Sequence, residues 1–242
     1  MLFRLGNSEW TVTCSPLRDF LNSDVVKRAL DTCLALTALI GFSPILVICA
    51  LAIRLGSAQN VLFRQERVGR HGCIFKVIKL TTMKDEAHLT GPKLSLKRDP
   101  RVTRLGHAIR AFGFNELPQF INVLKGEMSI VGPRPEVPEY VKHWPGDSRD
   151  RILAVRPGIT GLATVQFWHE SSLLDAEDDV ERVYLEDILP QKLRTELSYV
   201  AQHTLWLDLR IMAITLKKAL GGSRHFRSGH DPKQIPPQEV RL

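Results

Sequence analysis

Between Ser95 and Glu136 the sequence concentrates residue types that bind phosphates. Its cations include Lys97, Arg98, Arg101, Arg104, Arg110 and Arg134, and its carboxylates include Glu116 and Glu127. Guanidinium groups stay charged at every working pH and make bidentate contacts with phosphate oxygens. Several of them on one loop system would suit a diphosphate substrate. A solvated basic face that contacts anionic lipid headgroups is the alternative interpretation.

Proline restricts the backbone around two of the arginines. Arg134 stands between Pro133 and Pro135, which favours an extended backbone, and the run Arg156-Pro157-Gly158 predicts a turn. Rigid arginine loops favour a defined phosphate site over a basic protein that binds nucleic acid or headgroups. Binding by such a protein would depend steeply on salt and would not select nucleotides.

The composition limits the functions that these residues can serve. The chain has 242 residues, with 33 Lys and Arg against 26 Asp and Glu, a formal charge of +7 and 44% hydrophobic residues. Such a chain buries a core, so a disordered, fibrous or polytopic membrane protein is excluded. The sequence has no Walker A loop, no Gly-x-Ser-x-Gly elbow and no Gly-x-Gly-x-x-Gly turn, and its eight histidines show no metal-ligand spacing.

An apolar segment from Thr32 to Ile53 has the length of a membrane helix and contains no charge. Ser43-Pro44 in its middle predicts a break or a sharp kink, because proline removes a backbone donor and crowds the preceding turn. Lys27 and Arg28 precede the segment and Arg54 follows it, so both ends carry the positive charge typical of the cytoplasmic side. A re-entrant helix pair fits these flanks better than a spanning helix. A core helix of a soluble protein is the alternative.

The remaining pattern predicts an α/β fold that is mostly helical with a small β-hairpin, preceded by a re-entrant membrane helix broken at Ser43-Pro44. We expect a hairpin in 61–83 and helices near 103–112, 117–124, 176–184, 191–203 and 206–220. In the last helix the stripe Leu205, Leu209, Met212 and Leu216 predicts a core-facing side. The expected divisions are an N-terminal interfacial segment 1–26, the membrane helix-break-helix 27–54, a cytosolic catalytic domain 55–220 and a disordered tail 221–242.

Several motifs in a fixed order resemble the bacterial sugar transferase family, the small monotopic phosphoglycosyl transferases. The motifs are Lys27-Arg28 with Asp31, Ser43-Pro44, the run 63–69, the run 75–79 leading to Thr82-Met83, Asp99 to Gly106, Asn115 to Gln119, Asn122 to Ser129, Val131 to Pro135 and Arg156 to Gly161. The resemblance covers about Lys27 to Leu220. So many motifs in one order make the match highly specific, whereas Gly-Pro-Arg-Pro alone would not.

The resemblance implies a monotopic protein on the cytoplasmic face of the bacterial inner membrane, in contact with inner-leaflet lipids. It implies transfer of sugar-1-phosphate from a UDP-sugar to polyprenyl phosphate, with release of UMP, Mg2+ as cofactor and a covalent phosphosugar intermediate. This is the first membrane step of polysaccharide or glycoconjugate assembly. Glu116 matches the family's assisting carboxylate and would contact the metal. Arg110 and Arg134 match phosphate-binding arginines, and Lys79 and Arg101 are further candidates for the nucleotide diphosphate.

The chain departs from the family at the nucleophile, because Asn115 stands where the resemblance implies an aspartate. A neutral amide cannot form an acyl phosphate and is a weaker magnesium ligand than a carboxylate. Three explanations stay open: a natural variant in which Glu116 or another carboxylate has taken the role, an inactive or regulatory homologue, or an engineered substitution that traps substrate. The alternative function is a catalytically silent scaffold that binds nucleotide sugar or lipid. Apolar membrane hairpins often self-associate, so a homo-oligomer is possible.

Overall fold

The computed structural model of the protein describes residues 25–56, 60–84, 94, 99–168, 170–174 and 179–220. Most of the expected interfacial segment 1–26 and the whole expected tail 221–242 lie outside these residues. The cations Lys97 and Arg98 also lie outside them.

Helix α1 (Val25–Gly56) is a single helix of 32 residues with Pro44 inside it. It is long and apolar enough to cross a membrane, and only 11% of its most apolar window is buried, which argues against a core helix. The helix continues through Pro44 without interruption, so the prediction of a complete break at Ser43-Pro44 is wrong, whereas a kink there stays a prediction. The Ser43 hydroxyl donates a hydrogen bond of 2.7 Å to the carbonyl of Ile40. This is the acceptor that the missing N–H of Pro44 would otherwise leave without a donor in the helix.

The predicted hairpin is confirmed as two antiparallel strands, β1 (Leu62–Val68) and β2 (Ile74–Leu80). A 3-10 turn, Arg70–Gly72, connects them, and Gly72 has a positive φ of 77°. Alternation of buried and exposed residues along β1 explains why the pattern was legible in the sequence. Phe63 pairs with Lys79, which places Lys79 at the penultimate position of β2.

Helix α2 (Arg104–Ala111) begins after Thr103, whose side chain caps it by accepting a hydrogen bond from the N–H of Gly106. A 3-10 turn, Phe114–Glu116, follows, and helix α3 (Gln119–Lys125) comes next. Asn122 fixes α3 to β2: its Oδ1 accepts from the N–H of Ile78 at 3.0 Å and its Nδ2 donates to the carbonyl of Lys76 at 2.8 Å. These two bonds satisfy one N–H and one carbonyl of β2. They also hold α3, and with it the preceding 3-10 turn Phe114–Glu116, near the strand.

Two three-residue strands, β3 (Ser129–Val131) and β4 (Gly158–Thr160), form a parallel pair that the sequence did not predict. The remaining elements of the described chain are helical. They are α4 (Pro138–Val141), α5 (Gly146–Ile152), α6 (Leu162–Gln166), α7 (Glu170–Leu174), α8 (Val180–Val183), a π-helical turn Tyr184–Ile188, α9 (Leu189–Gln202) and α10 (Leu205–Leu220).

Helix α10 follows the predicted core-facing stripe at Met212, which packs against the core, but not at the three leucines. Leu205, Leu209 and Leu216 are 38%, 50% and 60% exposed, whereas Asp208 and Ile211 are buried. Tyr199 and Lys27 explain the buried aspartate. Tyr199 donates its hydroxyl proton to Asp208 at 2.8 Å, and the Lys27 ammonium forms an ion pair with the same carboxylate. The side of α10 that faces the protein therefore carries Ile211 and Met212 in the core and the paired Asp208, but not the three leucines.

Both halves of α1 pack against the rest of the protein. In the first half Asp31 accepts hydrogen bonds from the Ser129 hydroxyl and the Ile130 N–H, and Ala35 belongs to a core with β2, α3 and β3. In the second half Cys49 and Ile53 join a core with Leu80, Ile109 and Phe114. Between these two contacts the helix exposes apolar side chains such as Ile40, which is 66% exposed.

Candidate functional site

Glu116 lies at the centre of a cluster of oppositely charged side chains. Its Oε1 lies 3.2 Å from Nζ of Lys79 and 3.5 Å from Nη2 of Arg134. Lys79 comes from the end of β2, Glu116 from the 3-10 turn, and Arg134 from the loop after β3. The fold thus brings together three predicted site residues that are far apart in sequence. The Glu116 side chain is 28% exposed, so a ligand can reach the cluster.

The charges in this cluster shift one another's pKa values. Burial alone would raise the pKa of Glu116, but the cations Lys79 and Arg134 outweigh it and lower the value to about 2. Burial lowers the pKa of Lys79 to about 8, although Glu116 acts in the opposite direction. The negative charge of Glu116 raises the pKa of Arg134. At neutral pH Glu116 is therefore an ionised carboxylate and not a proton donor.

Arg110 extends the basic cluster from helix α2. Its Nε donates a hydrogen bond of 2.8 Å to the hydroxyl of Thr82, and burial lowers its pKa against the opposing charges of Asp99 and Glu116. Arg101 is engaged elsewhere. Its guanidinium makes a two-point contact with Asp99, at 2.8 Å and 2.7 Å, and a further bond to the carbonyl of Leu94. Arg101 thus stabilises its own loop, whereas Lys79 and Arg134 contact Glu116.

The Arg134 loop is fixed by close backbone packing against the turn before β4. The N–H of Gly158 donates to the carbonyl of Pro133 at 2.8 Å, and the N–H of Gly132 donates to the carbonyl of Thr160 at 3.0 Å. A Cβ atom at Gly132 would lie 2.4 Å from the carbonyl oxygen of Arg156. The two glycine-containing motifs identified in the sequence are therefore partners, and the glycines permit their contact.

Asn115 is half-buried and occupies the middle of the 3-10 turn, directly before Glu116. Gly113 opens this turn with a positive φ of 70°, and the N–H of Glu116 donates to its carbonyl at 3.1 Å. The turn places the amide of Asn115 on the same short segment as the Glu116 carboxylate. The predicted pair thus lies together in the structure, with an amide at one position.

The structure adds a second layer of buried charges that the sequence analysis missed as site residues. Arg67 donates to the carbonyl of Pro135 at 3.1 Å and lies 3.5 Å from the carboxylate of Glu136. Glu136 also accepts from Lys192 at 3.2 Å and from the Tyr184 hydroxyl at 2.7 Å. Arg67 lies in the motif 63–69 and Glu136 directly follows the motif 131–135, so the motifs could have indicated both residues. Lys192 lies in the amphipathic helix α9, where no motif marks it.

With this geometry in place, comparison with known proteins assigns the chain to a family. Residues 22–222 match the bacterial sugar transferase family, so the chain belongs to that family. This confirms the resemblance inferred from the motifs.

Several curated relatives are similar over most of this chain. A UDP-glucose:undecaprenyl-phosphate glucose-1-phosphate transferase of Caulobacter vibrioides is 37% identical over 212 residues, covering 81% of this chain and 70% of the relative. A protein of the same description from Escherichia coli is 36% identical over 196 residues, covering 80% of this chain and 40% of the relative. An undecaprenyl-phosphate glucose phosphotransferase of Komagataeibacter xylinus is 36% identical over 206 residues, covering 83% and 37%. The chain thus spans well under half the length of two of these three relatives.

Proposed function

We propose that this chain transfers a sugar-1-phosphate from a UDP-sugar to polyprenyl phosphate and releases UMP. The observation that carries the proposal is the convergence of Lys79, Arg134 and Glu116 in a member of the bacterial sugar transferase family. Two cations at one accessible carboxylate give a site with net positive charge, and Arg110 adds to it electrostatically. Such a site favours a diphosphate anion. The relatives from Caulobacter vibrioides and Escherichia coli are named as transferases that act on UDP-glucose and undecaprenyl phosphate.

The position of the site beside α1 supports a lipid-linked acceptor. Three apolar residues pack with the second half of α1, and each is the sequence neighbour of a site residue. They are Leu80, next to Lys79, Ile109, next to Arg110, and Phe114, next to Asn115. A phosphate carried on a membrane-embedded chain would reach the cluster along this side. Exposed apolar residues near it, such as Phe112 at 69% exposure, would lie toward the lipid.

We propose that α1 enters and leaves the cytoplasmic leaflet of the bacterial inner membrane. At 1.5 Å per residue its 32 residues extend about 48 Å, longer than a membrane core of about 30 Å. Lys27 and Asp31 at the start of α1, and Ile53 near its end, contact the same body of the protein. If α1 spanned the membrane, its two ends would lie on opposite sides, and one of these two sets of contacts would be lost. Fluorescent-protein fusions at both termini in cells test this topology. Fluorescence from both fusions is expected, whereas loss of the N-terminal signal would indicate a spanning helix.

Magnesium fits the donor set in a limited way. The described residues contain no group of three or more His, Cys, Asp or Glu side chains that could hold a metal ion. Mg2+ is commonly held by one or two carboxylates together with substrate phosphate oxygens, and Glu116 can supply one carboxylate. When bound there, the ion would neutralise charge on the diphosphate. Lys79, Arg110 and Arg134 would orient the same diphosphate.

We propose the two-step transfer that the family resemblance implies, through a carboxylate nucleophile. One of its oxygens attacks the phosphorus nearest the sugar while the bond to UMP breaks, and an oxygen of polyprenyl phosphate then attacks that phosphorus and frees the carboxylate. Asn115 cannot perform the first step. We propose that Glu116, ionised and adjacent, performs it in the chain as it stands. The second candidate function, nucleotide-sugar binding without turnover, is favoured by the amide at Asn115 itself.

UMP release tests both functions. The full chain, Asn115→Asp and Glu116→Gln would be compared in nanodiscs with magnesium, undecaprenyl phosphate and UDP-glucose, UDP-galactose or UDP-N-acetylgalactosamine. Turnover by the unaltered chain, lost in Glu116→Gln, would support the transferase with Glu116 as nucleophile. Turnover only by Asn115→Asp would instead identify a binding protein whose transfer step is disabled. If neither the unaltered chain nor Asn115→Asp bound or turned over any of these UDP-sugars, the proposal would fail.

A further inference from the structure

The buried face of helix α9 carries two charged residues among apolar ones. Lys192 and Glu196 are 6% and 5% exposed, although they lie in the same stripe as Leu193 and Tyr199. Burying a charged group is unfavourable unless it is paired. Lys192 is paired with Glu136 and Glu170, each at 3.2 Å. The ion pairs of Lys192 do not explain why Glu196 is buried, because Glu196 bonds to a backbone N–H instead.

The Glu196 side chain contacts the backbone of Arg134. Its Oε1 accepts a hydrogen bond of 3.1 Å from the N–H of Arg134, and its Oε2 is buried without a hydrogen-bond partner among the described residues. Proline has no N–H, so Arg134 supplies the only backbone donor within Pro133-Arg134-Pro135. This N–H lies between two buried prolines and points at the buried Glu196 carboxyl group, so Glu196 is the acceptor that the fold provides for it.

We propose that Glu196 is a positioning residue that holds the main chain of Arg134, so that its guanidinium reaches Glu116 and a bound diphosphate. This inference rests on the proposed function of Arg134. The neighbouring carbonyls are also held: Pro133 accepts from Gly158, and Pro135 accepts from Arg67. Glu196 therefore supplies the third attachment, from α9, of a loop that β4 and β1 hold at its other two points.

The chemistry of the contact predicts which substitutions are tolerated. Burial raises the pKa of Glu196 to about 7, so its carboxyl group exists in both forms near neutrality, and Oε1 can accept from Arg134 in either. A neutral amide oxygen should therefore replace it. An apolar side chain of similar size should not, because the Arg134 N–H would stay buried without an acceptor.

Hydrogen exchange at Arg134 tests this role directly, because the peptide 133–135 contains one exchangeable backbone amide. The full chain in nanodiscs would be compared with Glu196→Gln, Glu196→Leu and Leu193→Ala, the last a buried residue of the same helix face. We expect at least tenfold faster exchange of the Arg134 amide in Glu196→Leu, but exchange close to that of the unaltered chain in Glu196→Gln and Leu193→Ala. Unchanged exchange in Glu196→Leu would overturn the proposal.

The dissociation constant for UDP-glucose, measured beside the melting temperature, separates positioning from folding. Glu196→Leu should weaken binding at least tenfold, whereas Leu193→Ala should lower the melting temperature with less than a threefold change in binding. Equal loss of affinity at equal loss of melting temperature would reduce Glu196 to a structural residue and overturn the proposal. If the unaltered chain did not bind UDP-glucose, the proposed function would fail, and exchange would still decide whether Glu196 holds Arg134.

Discussion

Nζ of Lys79 lies 3.2 Å from Oε1 of Glu116, and this ion pair joins the end of β2 to the turn that contains Asn115. The pair fixes the position of a carboxylate next to the Asn115 amide, where the family resemblance predicts the nucleophile. It also keeps Glu116 ionised, with a pKa of about 2, against the effect of burial. A carboxylate held in this state can act as a nucleophile or metal ligand, but it cannot deliver a proton at neutral pH.

The affinity for UDP-glucose should fall as the pH rises through 8. Burial lowers the pKa of Lys79 to about 8, so its ammonium is charged below that pH and becomes neutral above it. The diphosphate diester of UDP-glucose stays ionised over this range, so the loss of charge occurs in the protein. Binding measured by calorimetry between pH 6.5 and 9.5 checks this. Lys79→Arg, whose guanidinium stays charged, should flatten the profile, and an equally steep profile in that variant would exclude Lys79 as its source.

Arg134→Lys should weaken UDP-glucose binding by about tenfold or more. Lysine keeps the positive charge but cannot make the planar two-point contact, and the loss of one charge-assisted hydrogen bond corresponds to about 1.5–3 kcal/mol. Arg182→Lys is the matched control, because Arg182 is 55% exposed and forms ion pairs with Asp179 and Glu186 on the surface. Equal affinities for Arg134→Lys and Arg182→Lys would contradict a phosphate-binding role for Arg134.

Local patterns made part of this structure predictable from the sequence. Alternating residues predicted the hairpin, and Thr103 followed by Leu105, Ile109 and Phe112 predicted α2. The motif order predicted that Lys79, Glu116 and Arg134 belong to one site, and their contacts agree with that expectation. The hairpin and α2 were predictable because their patterns involve residues close together in sequence. The site was predictable because its motifs contain charged residues in a specific order.

Other features depend on contacts across the fold and left no local pattern. Strands β3 and β4 have three residues each, too few for a period to be recognised. Lys192 and Glu196 looked like polar positions of an amphipathic helix, but their partners lie on the Arg134 loop and in its surroundings. The Leu205 stripe was assigned to the core because composition alone does not reveal that Asp208 has a buried partner.

Gly106→Ala should destabilise the fold and weaken substrate binding together. A Cβ at Gly106 would lie 2.1 Å from the carbonyl oxygen of Thr82, a backbone atom that cannot turn away, so α2 would have to shift. The shift would displace Arg110, whose Nε donates to the Thr82 hydroxyl. We expect a loss of about 1–3 kcal/mol in unfolding free energy, typical of overpacking. Thermal unfolding and UDP-glucose titration measure the two effects.

Gly146→Ala provides the control for this substitution. Gly146 lies in the first turn of α5, and an added Cβ would meet no atom within 4 Å. The variant should keep its affinity and either keep or slightly gain stability, because alanine restricts the unfolded chain. If Gly106→Ala behaved in the same way, the close contact between α2 and Thr82 would not be present in solution.

Glu136→Gln should lower the unfolding free energy at neutral pH by about 3–5 kcal/mol, the range observed when one partner of a buried ion pair is removed. Glu136 is 7% exposed and neutralises Lys192, at 3.2 Å, and Arg67, at 3.5 Å. The amide would leave these buried cations with less compensation, although Glu170 remains beside Lys192. Chemical denaturation at pH 7 measures the loss. Glu181→Gln, at an exposed position of α8, should change stability little.

The pH dependence of this effect has a definite sign. Burial alone would raise the pKa of Glu136, but Lys192, Arg67 and the Tyr184 hydroxyl lower it below 4.5. A carboxylate with a lowered pKa stabilises the fold above its unfolded value and loses that contribution as the pH falls through its folded value. The unaltered chain should therefore lose stability below about pH 4.5 more steeply than Glu136→Gln, and the two curves should converge in acid. Parallel curves would mean that the pKa of Glu136 is the same in the folded and the unfolded protein, and the stabilisation by its charge would then be absent.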